Sequence, residues 1–257
     1  MSASQHLVFD ALDKIYETSE GALSALASVS FDVARGEFVS IIGPSGCGKS
    51  TLLKITLGVV PLSGGEIRID GRVVEGPQVD IGMVFQTPAL PPWRRVLDNV
   101  LLPIEVLDKK PADYKDKARE LLALVGISEF EGSWPRELLG GMQQRVAICR
   151  ALIHDPGLML MDEPFGALDA MTRENMQAEL MRIWEEAHKT ILFVTHSIDE
   201  AVLLSDRLIV LSPRPGRIVE EVTIELARPR TAATRSRSDF QDYALHLRQM
   251  LGLAEQV

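Results

Sequence analysis

The stretch best suited to chemistry is glycine-rich: residues 43–51 read "GPSGCGKST". Its spacing, a glycine, four residues and then Gly-Lys-Ser, is typical of a loop that holds phosphate. In such a loop, backbone N–H groups close around the β-phosphate, Lys49 reaches the β and γ oxygens, and the Ser50 hydroxyl binds Mg²⁺. The candidate phosphate contacts are Gly43, Pro44, Ser45, Gly46, Cys47, Gly48, Lys49, Ser50 and Thr51, with Cys47 contributing its backbone. Kinases, GTPases and many ATPases share this loop, so the reaction depends on its companions.

Two adjacent carboxylates follow an apolar run in "LMLMDEP", residues 158–164. The run predicts a buried strand that carries Asp162 to the end of a sheet, where a carboxylate can hold the water shell of Mg²⁺. Hydrolysis also needs a group that orients the attacking water and takes its proton, and Glu163 is the candidate. The alternative is that Glu163 is a solvated surface charge.

Two further polar residues end predicted strands. Gln86, at the end of "DIGMVFQ", can reach the metal or the water, and His196, in "FVTHSIDEA", can reach the γ-phosphate. A histidine without such a position is more often structural. His6, His154, His188 and His246 are therefore expected to be structural or solvated.

A glycine pair precedes a helix-like run in "ELLGGMQQR", residues 137–145. The first turn of a helix leaves N–H groups without partners and carries partial positive charge, so it commonly receives phosphate. The stretch has no lysine to grip an anion, and the alternative is an ordinary tight turn.

Composition limits the classes of protein. The chain has 257 residues, of which 46% are hydrophobic and 25% charged, enough for one large domain. A net charge of −9 argues against binding nucleic acid over the whole surface. The N-terminus lacks the pattern of a signal peptide and no apolar run could span a bilayer, so a cytoplasmic location is expected. Cys47 and Cys149 lie far apart in unrelated motifs and are expected to be reduced thiols.

Strand and helix patterns alternate around the motifs, which predicts an α/β fold. Strands are predicted over 37–43, 80–86, 158–162, 190–195, 207–212 and 217–224, a hairpin at Asp70-Gly71, a helical insertion over about 87–156, and helices after residue 48, from about 172, over 197–205 and over 239–253. The stripe Met176, Leu180, Ile183, Trp184 and Ala187 has helical spacing and is expected in the core. Trp93 and Trp134 fit either core or a partner surface. The arginine-rich tail from residue 228 is expected on the surface.

The ordered set "GPSGCGKST", "VFQ", "LLGGMQQR", "LMLMDEPFGALD" and "VTHSIDEA" resembles the nucleotide-binding subunit of ABC transporters across nearly the whole chain. The resemblance implies a P-loop NTPase fold: one domain, 1–257, with a mixed sheet, an antiparallel β-subdomain, a helical subdomain at 87–156 and a tail at 228–257. It also implies that Tyr16 stacks on adenine and that Gln86 is the Q-loop residue, which couples the site to the membrane subunit and helps Ser50 and Asp162 to hold the metal. Asp162 is then the Walker B aspartate, Glu163 the catalytic base and His196 the switch histidine. Asp169 lies in the loop that crosses the dimer.

The same resemblance implies ATP and Mg²⁺ as cofactors and a second copy of the chain as partner. "LLGGM" then looks like the signature loop, in which Leu139, Gly140, Gly141 and Met142 serve the ATP held by the other copy in a head-to-tail dimer. Within the family, "MDEPFGALDAMTRENMQAELMRIW" looks most like importers of nitrate, sulfonate and taurine. The implied transporter also contains membrane permease subunits and an extracytoplasmic solute-binding protein, and it does not bind nucleic acid. In it the chain lies peripherally on the cytoplasmic face of the inner membrane.

Leu139 departs from the family, which usually has serine there. A leucine cannot donate a hydrogen bond to the γ-phosphate and forfeits an N-cap, typically worth about 0.5–2 kcal/mol. The backbone N–H groups of Gly140, Gly141 and Met142 are expected to stay available, so ATP binding is predicted intact but closure or hydrolysis weakened. A hydrolysis-impaired protein with a regulatory role, or an importer of another solute, stays open. A DNA-repair ATPase is disfavoured because fewer than a hundred residues separate Lys49 from Gly140, too few for its coiled coil.

Overall fold

A computed structural model describes residues 5–19 and 21–252 of the chain. Within these residues the chain forms two compact units, with boundaries between Gln78 and Val79 and between Glu186 and Ala187. The first unit thus contains both ends of the described chain, and the second unit is the segment between the boundaries.

The strands are β1 (Gln5–Thr18), β2 (Gly21–Ala34), β3 (Phe38–Ile42), β4 (Gly64–Ile69), β5 (Arg72–Val73), β6 (Gly82–Val84), β7 (Leu158–Asp162), β8 (Thr190–Val194), β9 (Arg207–Leu211) and β10 (Ile218–Thr223). The helices are α1 (Lys49–Thr56), α2 (Val96–Val106), α3 (Lys115–Leu124), α4 (Gly140–Leu152), α5 (Ala170–Ala187), α6 (Ile198–Leu204) and α7 (Ser238–Met250). Short 3₁₀ turns connect several of them. The predicted terminal helix ends at Met250, and Leu253 lies outside the described residues.

In the first unit an antiparallel sheet has the strand order β2-β1-β4-β5. β4 and β5 join at Asp70 and Gly71, whose φ angles of 49° and 75° fit the tight hairpin turn that an Asp-Gly pair favours. The predicted hairpin is confirmed. Phe9 of β1 stacks on Phe31 of β2 with ring centroids 4.2 Å apart, so this sheet has an aromatic core.

A second group of strands in the first unit brings the segments that follow β3 and β8 to one edge. β3 lies between β8 and β9 and runs parallel to both, while β10 pairs antiparallel with β9. All five residues of β3 and all five of β8 are buried, as expected for parallel strands covered on both faces. Ile41 pairs with Val194, so the segments that follow β3 and β8 leave the sheet at the same edge.

The tail is not wholly a surface segment, and the expectation is wrong for Arg230, which is only 6% exposed. Its guanidinium donates to the carbonyl oxygens of Ser205 at 2.6 Å and Val202 at 3.2 Å, where α6 ends. Arg228 donates to the Leu204 carbonyl at 2.9 Å. The last carbonyls of a helix lack partners within it, so both arginines fasten the C-terminal end of α6. Burial lowers the pKa of Arg230 to about 10, which leaves it charged at neutral pH.

In the second unit β6 and β7 pair in parallel, with Met83 opposite Leu160. Helices α2 and α4 pack together, and Val100 and Ile104 of α2 are buried. Of the predicted α5 stripe, Met176 and Leu180 are buried and Ile183 and Trp184 are half-buried, whereas the Ala187 side chain lies outside the described set.

The tryptophans Trp93 and Trp134, the two cysteines and four of the histidines differ in burial. Trp93 is exposed, and Trp134 is half-buried beneath the Arg95 guanidinium, 4.8 Å from its ring centroid. Both cysteines are buried free thiols, as predicted, and burial raises the pKa of Cys149 far above its usual value. Among the four histidines expected to be structural or solvated, His6 is buried against Asp70, His154 is half-buried, His188 is exposed and His246 pairs with Glu220 at the surface.

Candidate functional site

The phosphate-loop motif lies between β3 and α1, as the sequence predicts. Gly48 has a φ of 106°, and a Cβ there would lie 2.6 Å from the Leu26 side chain and 2.9 Å from the Ala25 carbonyl, so only glycine fits. Within residues 5–19 and 21–252, the N–H groups of Gly46 and Gly48 have no protein acceptor. Amides turned inward at the start of a helix form a cradle for an anion.

Lys49, the first residue of α1, is buried over this loop. Its ammonium donates to the carbonyl oxygens of Gly43 at 2.7 Å and Pro44 at 3.0 Å. The Cys47 thiol, 3.8 Å from the same nitrogen, is buried. The loop therefore holds a positive charge at its centre, as the binding of a triphosphate requires.

Tyr16 lies beside the loop as well. Its hydroxyl is 3.3 Å from the Thr51 hydroxyl on α1, so the residue assigned to adenine by resemblance contacts the helix that follows the phosphate loop. The Lys14 ammonium sits 4.6 Å from the Tyr16 ring centroid and also donates to the Pro61 carbonyl at 2.8 Å. A cation against the face of an aromatic ring is an attractive contact.

His196 follows β8 and is exposed. The preceding residue, Thr195, donates its N–H to the Ile41 carbonyl at 3.4 Å, which joins the His196 turn to the strand that leads into the phosphate loop. The parallel register thus brings His196 and the loop to one edge of the first unit.

The second unit brings together the carboxylates and Gln86. Asp162 is buried at the end of β7, and Glu163 follows with a φ of 46°, a left-handed conformation that is uncommon for this residue type and recurs at functional sites. The Gln86 amide donates to the Glu163 carboxylate at 3.0 Å. Glu163 is half-buried and its carboxylate accepts a hydrogen bond, so the alternative of a solvated surface charge does not fit.

The glycine pair opens α4, so the tight-turn alternative is wrong. Leu139 is the N-cap, with its side chain 77% exposed and no side-chain hydrogen bond to the helix. Its carbonyl accepts from the Met142 N–H at 2.9 Å, which corrects the expectation that this N–H stays available. The amides of Gly140 and Gly141 have no acceptor in the described part of the chain, so two of the three expected donors remain.

Asp169 has a local structural role that sequence reasoning missed. Its carboxylate accepts from the Thr172 N–H at 3.0 Å at the start of α5. Hydrogen bonds from Thr172 hold the pKa of Asp169 below its usual value. The signal was present, because an aspartate just before a helical run is a typical N-cap.

The described residues contain no cluster of three or more His, Cys, Asp or Glu side chains that could hold a metal ion. A magnesium ion bound with nucleotide needs fewer protein ligands, because it keeps several waters and takes oxygens from the phosphates. A buried Asp162 carboxylate and a Ser50 hydroxyl are hard oxygen donors of the kind that Mg²⁺ prefers. Over the same described residues, no helix is both long and apolar enough to cross a bilayer.

Comparison with known proteins gives consistent matches. Residues 26–166 match the family model described as ABC transporter. A taurine import ATP-binding protein of Rhizobium johnstonii is 51% identical over 79% of the chain and 78% of its own length. An aliphatic sulfonates import ATP-binding protein of Bacillus cereus is 42% identical over 95% and 96%, respectively. The dimeric structure of a bacterial ABC transporter cassette aligns with a TM-score of 0.79 at 34% identity, over 86% of this chain and all of that one.

Proposed function

From the premise that the chain belongs to the ABC transporter family, we propose that it hydrolyses ATP to drive an importer of a small anion, of the nitrate, sulfonate or taurine type. The observation that carries the proposal is the hydrogen bond between Gln86 and Glu163, beside the buried Asp162. This arrangement supports Glu163 as the carboxylate that activates water, linked to Gln86, which can respond to contact with the membrane subunit. Similarity to import proteins for taurine and for aliphatic sulfonates supports the class of solute.

ATP binds to the first unit in this proposal. The backbone of residues 43–51 surrounds the phosphates, Lys49 neutralises their charge, and the adenine stacks on Tyr16. Lys14, already in contact with the Tyr16 ring, keeps that ring in place for the base. The hydroxyl of Ser50 binds the magnesium ion, together with Asp162 and Gln86.

Hydrolysis depends on Glu163 and His196 in this proposal. The metal neutralises charge that develops on the phosphate oxygens when bound. Glu163 orients the attacking water and accepts its proton, and His196 donates a hydrogen bond to the γ-phosphate. The 3.0 Å contact from Gln86 keeps the Glu163 carboxylate oriented before the substrate arrives.

The working form is a dimer of two copies. Two solved cassettes similar to this chain are dimers, one of them in a post-hydrolysis state bound to ADP and Pi. In the proposed head-to-tail arrangement, the Gly140 and Gly141 amides at the start of α4 face the ATP of the partner, and Asp169 lies where the two copies cross. Each nucleotide is then enclosed by two chains.

The dimer works beneath two membrane permease subunits, at the cytoplasmic face of the membrane, with a solute-binding protein on the other side. The exposed Trp93 and the segment after Gln86 form the contact with the permease. Nucleic acid has no part in this cycle.

The test is uptake of labelled taurine, an alkanesulfonate and nitrate by cells that lack the gene and carry either the parent or Glu163→Gln. Uptake of one of these anions with the parent and none with the variant is expected. Uptake that is equal in both strains would contradict the proposal. The exposed Leu139 favours one second candidate, a hydrolysis-impaired regulatory subunit, which predicts that neither strain transports although both proteins bind ATP.

A further inference from the structure

A ring of hydrogen bonds surrounds the turn that carries His196. The Thr195 hydroxyl donates to the Glu200 carboxylate at 2.7 Å and accepts from the Ser197 N–H at 3.0 Å. The Ser197 hydroxyl accepts from the Glu200 N–H at 3.3 Å. The two neighbours of His196 are therefore tied to each other and to the first turn of α6.

The ring is a variant of a known helix start. The spacing Ser-x-x-Glu at 197–200 predicts a capping box, in which the glutamate side chain bonds directly to the N–H of the serine. Here the Thr195 hydroxyl stands between them, accepting from that N–H and donating to the carboxylate. Because a hydroxyl can donate and accept at once, Thr195, the residue before His196, links the Ser197 N–H to the Glu200 side chain.

The carboxylate of Glu200 is buried where it accepts from Thr195. Glu200 is 8% exposed, and burying a carboxylate is costly unless hydrogen bonds and favourable charge compensate. The Thr195 hydroxyl supplies one bond, and the position in the first turn of α6 places the negative charge at the positive end of the helix.

The rest of α6 is held independently. Arg230 and Arg228 fasten its C-terminal end, and Asp199 on its first turn pairs with Arg248 of α7 at 3.2 Å. Removing the Glu200 carboxylate thus leaves the helix anchored and releases the turn before it. His196, which is exposed, lies in that turn.

We propose that Glu200 is a positioning residue that acts through Thr195 to aim His196 at the γ-phosphate. This inference rests on the proposed function, because the γ-phosphate that His196 contacts belongs to that proposal. It adds a buried carboxylate and a hydroxyl to the machinery, neither of which meets the nucleotide.

The test measures kcat and KM for ATP in Glu200→Ala, Glu200→Gln and Thr195→Val, with Asp199→Asn as the control on the same helix. A misplacement of about 1 Å costs up to about 100-fold in rate, so kcat is expected to fall by about 10- to 100-fold in Glu200→Ala and Thr195→Val while KM is unchanged. Glu200→Gln keeps an acceptor for the Thr195 hydroxyl and is expected to restore most of kcat. Asp199→Asn is expected to match the parent.

Single-turnover rates in a His196→Ala background separate positioning from structure. Glu200→Ala is expected to add no further loss there; a further loss of similar size would mean that the carboxylate serves the fold and would overturn the inference. If Glu200→Ala does not fold, Thr195→Val and Glu200→Gln decide the same question. Full kcat in His196→Ala would contradict the proposed role of His196, whereas loss in His196→Ala with full kcat in Thr195→Val would overturn the positioning inference alone.

Discussion

Replacing Leu139 by serine tests the signature loop most directly. Leu139 caps α4 without a side-chain hydrogen bond, and its side chain is exposed, so the change removes little packing. A serine oxygen at this N-cap can accept from the Gly141 N–H, since the carbonyl of residue 139 already takes the Met142 N–H, and caps of this kind contribute about 1 kcal/mol. The thermal midpoint is therefore expected to rise by about 2–4 °C.

The effect on hydrolysis follows from the same hydroxyl. While its oxygen accepts from the helix, its hydrogen can donate to the γ-phosphate held by the partner copy. Hydrogen bonds to charged groups contribute about 1.5–3 kcal/mol, and each 1.36 kcal/mol is tenfold in rate. If the bond forms in the closed dimer, kcat is expected to rise by about 10- to 150-fold, with ATP binding unchanged.

The assay is steady-state ATP hydrolysis over a range of protein concentrations, with Glu163→Gln as the blank and Leu139→Ala as the matched control. The alanine variant removes the leucine without adding a hydroxyl, so it is expected to stay near the parent. A steep dependence on concentration identifies the dimer as the active form. Leu139→Ser no faster than the parent, or Leu139→Ala as fast as Leu139→Ser, would refute the reasoning.

Three further changes test other contacts. Arg230→Met removes the donor to the Ser205 and Val202 carbonyls and is expected to lower the free energy of unfolding by about 3 kcal/mol, measured by urea titration; an unchanged midpoint would contradict the fastening. Burial raises the pKa of Asp70, but hydrogen bonds with His6 and Arg35 outweigh it and leave that pKa below 3.8. Its stabilisation is therefore present above about pH 4 and lost as pH falls through the lowered pKa, a loss that urea titrations between pH 6 and pH 3 should show in the parent and not in Asp70→Asn. Tyr16→Ser is expected to weaken ATP binding by about 1–3 kcal/mol, with Tyr16→Phe near the parent, by fluorescence titration; equal affinities in both would exclude stacking.

The sequence predicts the motif-bearing elements well because each has a strong local signal. A buried strand, a glycine-rich loop and a helix follow one another at 38–56, and the Asp-Gly pair fixes its hairpin by backbone preference alone. The glycine pair is harder, since a helix start and a tight turn use the same residues. The resemblance to the family assigned it to the signature loop, and the structure places it at the start of α4.

The long strands β1 and β2 escaped prediction for a physical reason. Leu7 and Phe9 of β1 are buried, but the buried positions then shift to Leu12 and Lys14. Between them the register is irregular, and Ala11 has a positive φ of 47°. A bulge inserts an extra residue and reverses the alternation of faces, so a search for a period of two fails there.

Contacts between distant segments were also beyond the sequence. Nothing local to Arg230 indicates that it meets the end of a helix about 25 residues earlier in the chain. The Thr195 hydroxyl likewise replaces a direct bond that the Ser-x-x-Glu spacing predicts. Both depend on how the elements pack, which composition and spacing do not record.

The fastening of α6 by Arg230 restricts how this protein can be remodelled. A helix of seven residues is too short to persist alone, so it relies on contacts at its ends. Truncation before Arg230, or a fusion that pulls it away, would loosen the helix whose other end follows His196. A regulatory domain or a purification tag is therefore best added after Arg230. The chain up to Arg230 has to be kept with the turn that carries His196.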